Sequence, residues 1–175
     1  MAYAFYISIE GQKQGKFKGE TVQKNHAGKI AGVRFFSSAS SPRDAATGMA
    51  TGKRMYQPIK FTKQWGATSP QLFQALAENE ILKTVVFEFF RADKAGMEAL
   101  HYRITLTNAT VASINAYLDL TDRTGDPYDA HELEDVELVF QSIQVENVAD
   151  KTSATDNWEA PLVRRPSPVE PVVTG

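Results

Sequence analysis

The 175-residue chain contains no cysteine. Without thiols it cannot form disulfide bonds, thiolate metal sites or a cysteine nucleophile, and its folding does not depend on the redox state of the compartment. Long apolar runs are also missing, because no stretch approaches the roughly 20 apolar residues that a membrane-spanning helix needs. These absences predict a soluble protein that does not insert into membranes and that tolerates transfer between compartments.

A strong charge of either sign is missing as well. The chain has 19 Lys and Arg residues against 21 Asp and Glu residues, which gives a net charge of −2. This balance provides no overall field that would attract nucleic acid or anionic lipid. The hydrophobic share of 42% and the charged share of 23% are those of an average globular protein. The length suits a single domain.

The first residues, MAYAFYISIEG, lack the basic segment and the unbroken apolar segment of a secretory signal peptide. Instead, large apolar side chains occupy alternate positions, at Tyr3, Phe5, Ile7 and Ile9. A period of two residues is typical of a β-strand with one buried face. The N-terminus is therefore predicted to be a strand rather than a signal peptide.

Similar patterns predict further strands. The segment KIAGVRFFS changes its apolar phase at Gly32, which indicates a β-bulge or a barrel corner. The other predicted strands are PIKFTK, LKTVVFEFFRA, HYRITLTNA, VASINAYLDL and ELEDVELVFQSIQVEN.

One helix is predicted after PIKFTK, with Ser69 as its N-cap and Pro70 at its first position. Its apolar face is predicted to carry Leu72, Phe73 and Leu76. Together the elements predict a mainly β fold: a curled, two-sheet antiparallel β-barrel with one flanking α-helix and a long protruding loop. The barrel domain is expected to occupy residues 1–158, and the proline-rich residues 159–175 are expected to form a flexible tail.

Residues that usually mark an active site are scattered. His26, His101 and His131 lie in different segments, and none belongs to a metal-binding motif. The sequence GMATGKR has three residues between its glycines, where a phosphate-binding loop has four, and it lacks the Ser or Thr that follows the Lys. The acidic run at residues 132–137 alternates between two strand faces and is interpreted as solvated. No catalytic, cofactor or metal site is therefore predicted, and the protein is not expected to be an enzyme.

Two polar features of the sequence are candidates for a functional role. The segment SSASSPRDAATGMATGKRMYQP lies between two predicted strands and has no apolar periodicity. Loops longer than about 12–15 residues are usually functional or disordered. In HYRITLTNA, the side chains of Arg103, Thr105 and Thr107 form a polar stripe beside an apolar one. This stripe is either the wet side of a sheet or the lining of a water-filled space.

Several longer motifs occur in a fixed order over residues 1–158. They are PIKFTK, SPQLFQAL, EFFR, HYRITLTNATVASI, ELEDVELVFQSI and KTSATDNW. In these motifs the chain resembles the Hcp (haemolysin-coregulated protein) family, the tube subunits of bacterial type VI secretion systems. It departs from the family pattern where Tyr56 or Gln57 replaces the His that commonly precedes Pro58, and in its proline-rich end.

The resemblance implies a structural protein whose hexameric rings stack into a hollow tube. The implied partners are further copies of the chain, a spike protein at the tip, a surrounding contractile sheath and effector proteins in the lumen. The tube would start in the cytoplasm and be secreted by the apparatus itself, which agrees with the predicted lack of a signal peptide. Nucleic acid is not an expected partner.

The resemblance also implies a role for the long loop. Residues 38–55 could reach roughly 25–30 Å outward at about 3.3 Å per residue, enough to cross from one ring to the next. Stacking contacts are expected from Arg43, Asp44, Met49, Lys53, Arg54, Met55 and Tyr56. The lumen or another polar face is expected to include Arg103, Thr105 and Thr107. The alternatives are a phage-like tail tube protein and a β-barrel enzyme or ligand-binding domain with a deep pocket near Arg103.

Overall fold

The computed structural model of the chain describes residues 3–119 and 131–158. In these ranges it has ten β-strands and one α-helix. They are β1 (Ala4–Gly11), β2 (Gly15–Lys16), β3 (Ile30–Phe36), β4 (Ala39–Ser40), β5 (Met55–Tyr56), β6 (Ile59–Gln64), α1 (Thr68–Ala77), β7 (Leu82–Ala92), β8 (Glu98–Asp119), β9 (His131–Asn147) and β10 (Thr152–Asn157).

Six antiparallel strands close into a barrel. Their order is β9, β6, β3, β1, β7, β8, and the ring closes because β8 also pairs with β9. Strand β10 pairs with β9, and the short β2 pairs with β1. The predicted antiparallel β-barrel with one flanking helix is confirmed. The expected tail at residues 159–175 lies outside the described residues.

The barrel interior is filled by apolar side chains from alternate strand positions. Side chains no more than 1% exposed include Ile7, Phe61, Phe87, Leu106 and Leu138, one from each of five barrel strands. Burying side chains of this size stabilises a fold by roughly 1.5–3 kcal/mol each. The alternation seen in the sequence therefore corresponds to the inner and outer faces of one barrel wall.

The bulge predicted at Gly32 is confirmed. The register between β3 and β6 shifts between Gly32 and Arg34. A Cβ atom on residue 32 would lie 2.0 Å from the ring of Phe5. Only glycine therefore lets β3 pass this ring without a displacement.

The predicted strands HYRITLTNA and VASINAYLDL are one continuous strand, β8. The backbone of Asn108 has a φ of 49°, and the register with β9 shifts between Val111 and Ser113. The strand is irregular at this point but does not end, because its pairing with β9 continues on both sides of the register shift. Strand β10 was not predicted, since its sequence TSATDN has no apolar alternation.

The helix differs from the prediction at its start and on its face. It begins at Thr68, and the backbone N–H of Thr68 donates to the Glu20 carboxylate at 2.9 Å. A distant loop therefore caps the helix, so the prediction of Ser69 as N-cap was wrong. Phe73 is 64% exposed, whereas Leu72 and Ala75 are buried, so its place on the apolar face was also wrong.

Candidate functional surfaces

The long polar segment between β3 and β6, residues 37–58, forms a two-stranded ribbon that is called the arm below. Strand β4 pairs with β5 at its base, and Arg43 pairs with Ala50 further out. Most side chains of the arm are exposed. The segment therefore has no apolar periodicity because it has no interior of its own, although its backbone is ordered by pairing.

The tip of the arm, residues 43–50, is a hydrogen-bonded turn. The backbone N–H of Asp44 donates to the carbonyl of Met49 at 2.9 Å, and that of Gly48 donates to the carbonyl of Asp44 at 2.8 Å. The Asp44 carboxylate also accepts the N–H of Ala46 at 2.6 Å. Gly48 has a φ of 70°, which glycine adopts readily. This ordered turn presents Met49, which is 70% exposed, to solvent.

The base of the arm is fixed to β10 by Arg54, Tyr56 and Asp156, a group called the anchor below. Arg54 Nε and Nη2 donate to the two Asp156 carboxylate oxygens at 2.5 and 2.9 Å. Such bidentate pairs are among the strongest and most directional hydrogen bonds in proteins. The Tyr56 hydroxyl donates to the same carboxylate, and Arg54 also donates to the carbonyl of Asn157.

Apolar packing supports the anchor. The Tyr56 ring contacts the rings of Phe140 and Trp158, with centroid distances of 5.2 and 5.6 Å. The hydrogen bond from Tyr56, reinforced by Arg54, lowers the pKa of Asp156 although burial opposes this change. Burial and the neighbouring Asp156 raise the pKa of Tyr56. The carboxylate therefore stays ionised and the phenol stays protonated near neutral pH.

The seven residues expected to carry stacking contacts fall into three groups. Arg54 and Tyr56 bind the protein's own β10, and Asp44 orders the tip turn. The exposed residues of the arm include Arg43, Met49, Lys53 and Met55. Asp156 was not among the predicted residues. Its only signal in the sequence was its position inside the motif KTSATDNW.

The predicted polar stripe lies on the outer face of β8. Arg103 is placed between two carboxylates, 3.6 Å from Glu88 and 3.2 Å from Glu146. Lys29 lies 2.5 Å from Glu88 and extends this row of alternating charges. Thr107 is exposed and Thr105 is half-buried. The stripe is therefore a polar surface in which the charges of Arg103 and its neighbours are compensated.

The acidic run at residues 132–137 is not wholly solvated as interpreted. Glu134 is 3% exposed and lies 3.0 Å from the Lys63 ammonium, which is itself 1% exposed. Ser69 Oγ donates to the same Glu134 oxygen at 2.7 Å. This buried pair joins β6, β9 and the start of α1. The prediction failed here because the cation lies about 70 residues away in the sequence.

The structure places His26 and His101 in separate surroundings. His26 is 4% exposed and stacks on Tyr6 with a centroid distance of 4.0 Å. His101 Nδ1 lies 3.0 Å from the carbonyl oxygen of Phe89. Among residues 3–119 and 131–158 there is no group of three or more His, Asp or Glu side chains that could hold a metal ion. In the same ranges, no helix has the length and apolar character needed to cross a bilayer.

Comparison with known proteins gives a family match that covers most of the chain. The family model described as "Type VI secretion system effector, Hcp" matches residues 6–146. The chain is 30% identical over 171 residues to the "Major exported protein" of Pseudomonas aeruginosa, an alignment that covers 93% of this chain and 99% of that protein.

Solved structures show the same fold. A crystal structure of an Hcp protein superposes with a TM-score of 0.84 at 24% identity and covers 91% of this chain and 100% of that chain. The secreted protein Hcp3 from Pseudomonas aeruginosa superposes with a TM-score of 0.74 at 25% identity, again covering 91% and 100%.

Proposed function

Because the chain belongs to the Hcp family of type VI secretion system proteins, we propose that it forms hexameric rings that stack into an exported tube. Members of this family are secreted, tube-like components of the secretion system. The observation that carries the proposal is the arm, an ordered ribbon fixed at its base whose tip is exposed. A ribbon of this kind contributes little to its own barrel and is suited to contact a neighbouring copy.

The arm supports a head-to-tail mode of assembly. An interface between unlike surfaces of identical chains closes into a ring when the rotation permits and otherwise propagates as a filament. The arm supplies one such surface, and the barrel of the next copy supplies another. Its exposed Arg43, Lys53, Met49 and Met55 combine charged and adaptable apolar contacts.

The polar stripe around Arg103 is suited to line the lumen of the tube. A tube that carries folded effector proteins needs a lumen that is polar and does not hold its cargo tightly. The compensated charges of Lys29, Glu88, Arg103 and Glu146, together with Thr105 and Thr107, provide such a surface.

The other partners in this proposal are the spike protein at the tip of the tube and the contractile sheath around it. The subunit would be cytoplasmic before export.

Native mass spectrometry combined with negative-stain electron microscopy tests the assembly. We expect hexamers in solution and ring-shaped particles that stack end to end at high protein concentration. A chain that stays monomeric at every concentration would overturn the proposal and would favour a self-contained ligand-binding or enzymatic barrel. A phage-like tail tube protein would also give rings, but it would not co-assemble with the type VI sheath and spike.

The role of the arm is tested by removing its tip. Residues 43–50 are replaced by Asn-Gly, a favourable hairpin turn, because Thr51 N already donates to the carbonyl of Pro42 at 3.0 Å. Arg54 is kept, since a longer deletion would also remove the anchor. We expect intact hexamers and at least a tenfold rise in the protein concentration needed for stacking. Unchanged stacking would contradict the role of the arm.

A further inference from the structure

We propose that the tip of the arm docks into a preformed cleft at the opposite end of the barrel of a second copy. The cleft lies between the loop at residues 20–23 and Trp65, and it is called the acceptor cleft below. This inference rests on the proposed function, because it identifies the surface that receives the arm when rings stack.

The arm and the acceptor cleft lie at opposite ends of the same two strands. The arm leaves β3 after Phe36 and enters β6 at Ile59. The cleft is lined by Ala31, near the start of β3, and by Gln64, at the end of β6. Strands of this length span roughly 20 Å at about 3.3 Å per residue. When the arm of one copy points forward in a head-to-tail stack, it therefore faces the cleft end of the next copy.

The acceptor cleft has both polar and apolar lining residues, and Val22 and Trp65 supply its large exposed apolar side chains. Val22 is 93% exposed and Trp65 is 40% exposed, and both line the cleft. The Trp65 indole is held in place because its Nε1 donates to the carbonyl of Leu133 at 2.8 Å. The cavity measures about 290 Å³. This space is open to solvent and is large enough to receive a long unbranched side chain.

The wall that carries Val22 is preformed. The backbone N–H of Gly28 donates to the carbonyl of Thr21 at 3.1 Å, which closes the loop. The Tyr6 hydroxyl donates to Gln23 Oε1 at 2.7 Å and ties the loop to β1. Binding to an ordered surface avoids much of the entropic cost of association. Both the cleft and the arm tip therefore exist in a single copy before they meet.

Met49 is the side chain that fits this cleft. It is 70% exposed at an ordered turn, and a thioether side chain makes favourable contacts with aromatic rings such as Trp65. Arg43 flanks it on the tip, and the acceptor cleft offers the carboxylate of Glu20. Within one copy, the Lys63 ammonium lies 3.0 Å from the Glu134 carboxylate and 3.7 Å from the Glu20 carboxylate. One ammonium therefore faces two carboxylates beside the cleft, and this excess of one negative charge complements Arg43 of the incoming arm.

Disulfide cross-linking tests the contact directly, because the chain has no cysteine of its own. The variant Met49→Cys/Val22→Cys places both thiols at exposed positions, where the fold is not disturbed. A disulfide requires Cα atoms within about 7 Å, so it cannot join the two ends of one barrel. After oxidation of stacked rings we expect a ladder of covalent multimers on a non-reducing gel.

The control variant is Met49→Cys/Ala154→Cys, which moves the second thiol to an exposed position on β10, the strand that holds the base of the arm. We expect no ladder from this variant, although microscopy should show that both variants stack. If rings stack but the two variants cross-link equally or not at all, the acceptor cleft is refuted and the proposed function stands. If the unaltered chain forms no rings, the proposed function fails, and the docking contact fails with it.

A single substitution provides a second readout. Val22→Asp adds a charge to the wall of the acceptor cleft at a fully solvated position, so hexamers should form normally. We expect at least a tenfold rise in the protein concentration at which rings stack. Stacking at the original concentration would refute the contact even if cross-linking were ambiguous.

Discussion

The barrel and the arm are both antiparallel β-structure, but only the barrel has an interior. In the barrel, Ile7, Phe61 and Phe87 are at most 1% exposed, whereas Met49 and Met55 of the arm are 70% and 56% exposed. An isolated two-stranded ribbon is marginally stable in water, because it cannot bury enough apolar surface. The arm must therefore obtain its order from hydrogen bonds in its turn and from contacts at its base.

This difference separates the residues that are expected to determine folding from those that are proposed to determine assembly. A substitution in the barrel changes the free energy of unfolding, because side chains from several strands share one core. A substitution of an exposed residue of the arm is expected to leave that free energy almost unchanged and to alter the surface proposed to contact other copies. The anchor belongs to both regions, since Arg54 and Tyr56 of the arm bind Asp156 next to the barrel.

The largest expected effect contrasts Phe87→Ala in the barrel with Met55→Ala in the arm. Phe87 is fully buried among other aromatic rings, so its truncation should lower the free energy of unfolding by about 3–5 kcal/mol. Met55→Ala should change it by less than about 0.5 kcal/mol, as exposed substitutions usually do. Urea denaturation at a concentration where both variants have the same oligomeric state measures the contrast. Similar losses in both variants would show that the arm is part of the folding unit.

Most of the barrel could be predicted from the sequence because burial leaves a pattern there. Alternation at Ile7 and Ile9 marked β1, and the phase change at Gly32 marked a bulge that the register confirms. Such signals are local, since each reports which face of its own strand is buried. The helix face was less predictable, and Phe73 was misplaced because packing on the barrel, not propensity, decides which side is covered.

The arm could be located from the sequence, but the anchor and the acceptor cleft could not. The length of the polar segment indicated the arm, whereas the anchor depends on a pair separated by 102 residues, Arg54 and Asp156. The acceptor cleft is equally nonlocal, because it joins a loop before β3 to Trp65 after β6. Polar contacts of this kind leave no periodicity. Only the resemblance of the motif KTSATDNW to a family drew attention to the region of Asp156.

A buried polar contact in the folded domain should contribute more to the free energy of unfolding than a contact at the base of the arm. Glu80 tests this expectation. Glu80 is 2% exposed, and its carboxylate accepts the backbone N–H groups of Lys13 and Gln14 at 2.7 and 2.8 Å. Burial alone would raise the pKa of Glu80, but these bonds and the Gln14 side chain lower it. The stabilisation is therefore complete above the unfolded pKa of about 4.3 and is lost as the pH falls through the lower folded value.

The variant Glu80→Gln should lower the free energy of unfolding by about 1–3 kcal/mol at pH 7, the cost of weakening a buried hydrogen-bonded group. The difference from the unaltered chain should shrink as the pH falls through the lowered folded pKa of Glu80, because the protonated carboxyl group and the amide are then both uncharged. Urea denaturation at pH 7, 5 and 3 measures it. The exposed neighbour Glu78, substituted by Gln, is the control and should change little at any pH. A constant difference across the pH range would show that the carboxylate charge contributes nothing.

The smallest effect on stability, but the most informative for the arm, is expected from Asp156→Asn. The Asp156 side chain is 39% exposed, and partly exposed ion pairs contribute at most about 1 kcal/mol, so the barrel should unfold almost as before. An amide cannot accept the bidentate bond from Arg54 and the Tyr56 hydroxyl equally well, so the arm should lose its fixed direction. Amide hydrogen exchange should then accelerate in residues 39–56 while the barrel strands stay protected.

The arm of the unaltered chain should also lose its fixed direction at low pH. Tyr56 and Arg54 lower the pKa of Asp156, so the anchor is intact above the unfolded value near 4 and opens as the pH falls through the folded value. Glu132→Gln, at an exposed position outside the anchor, controls for the loss of one negative charge. If exchange in the arm is the same in Asp156→Asn as in this control, the ribbon pairing and tip turn alone keep the arm in place. If it accelerates and ring stacking weakens with it, the direction of the arm is set by β10, a strand that takes no part in closing the barrel.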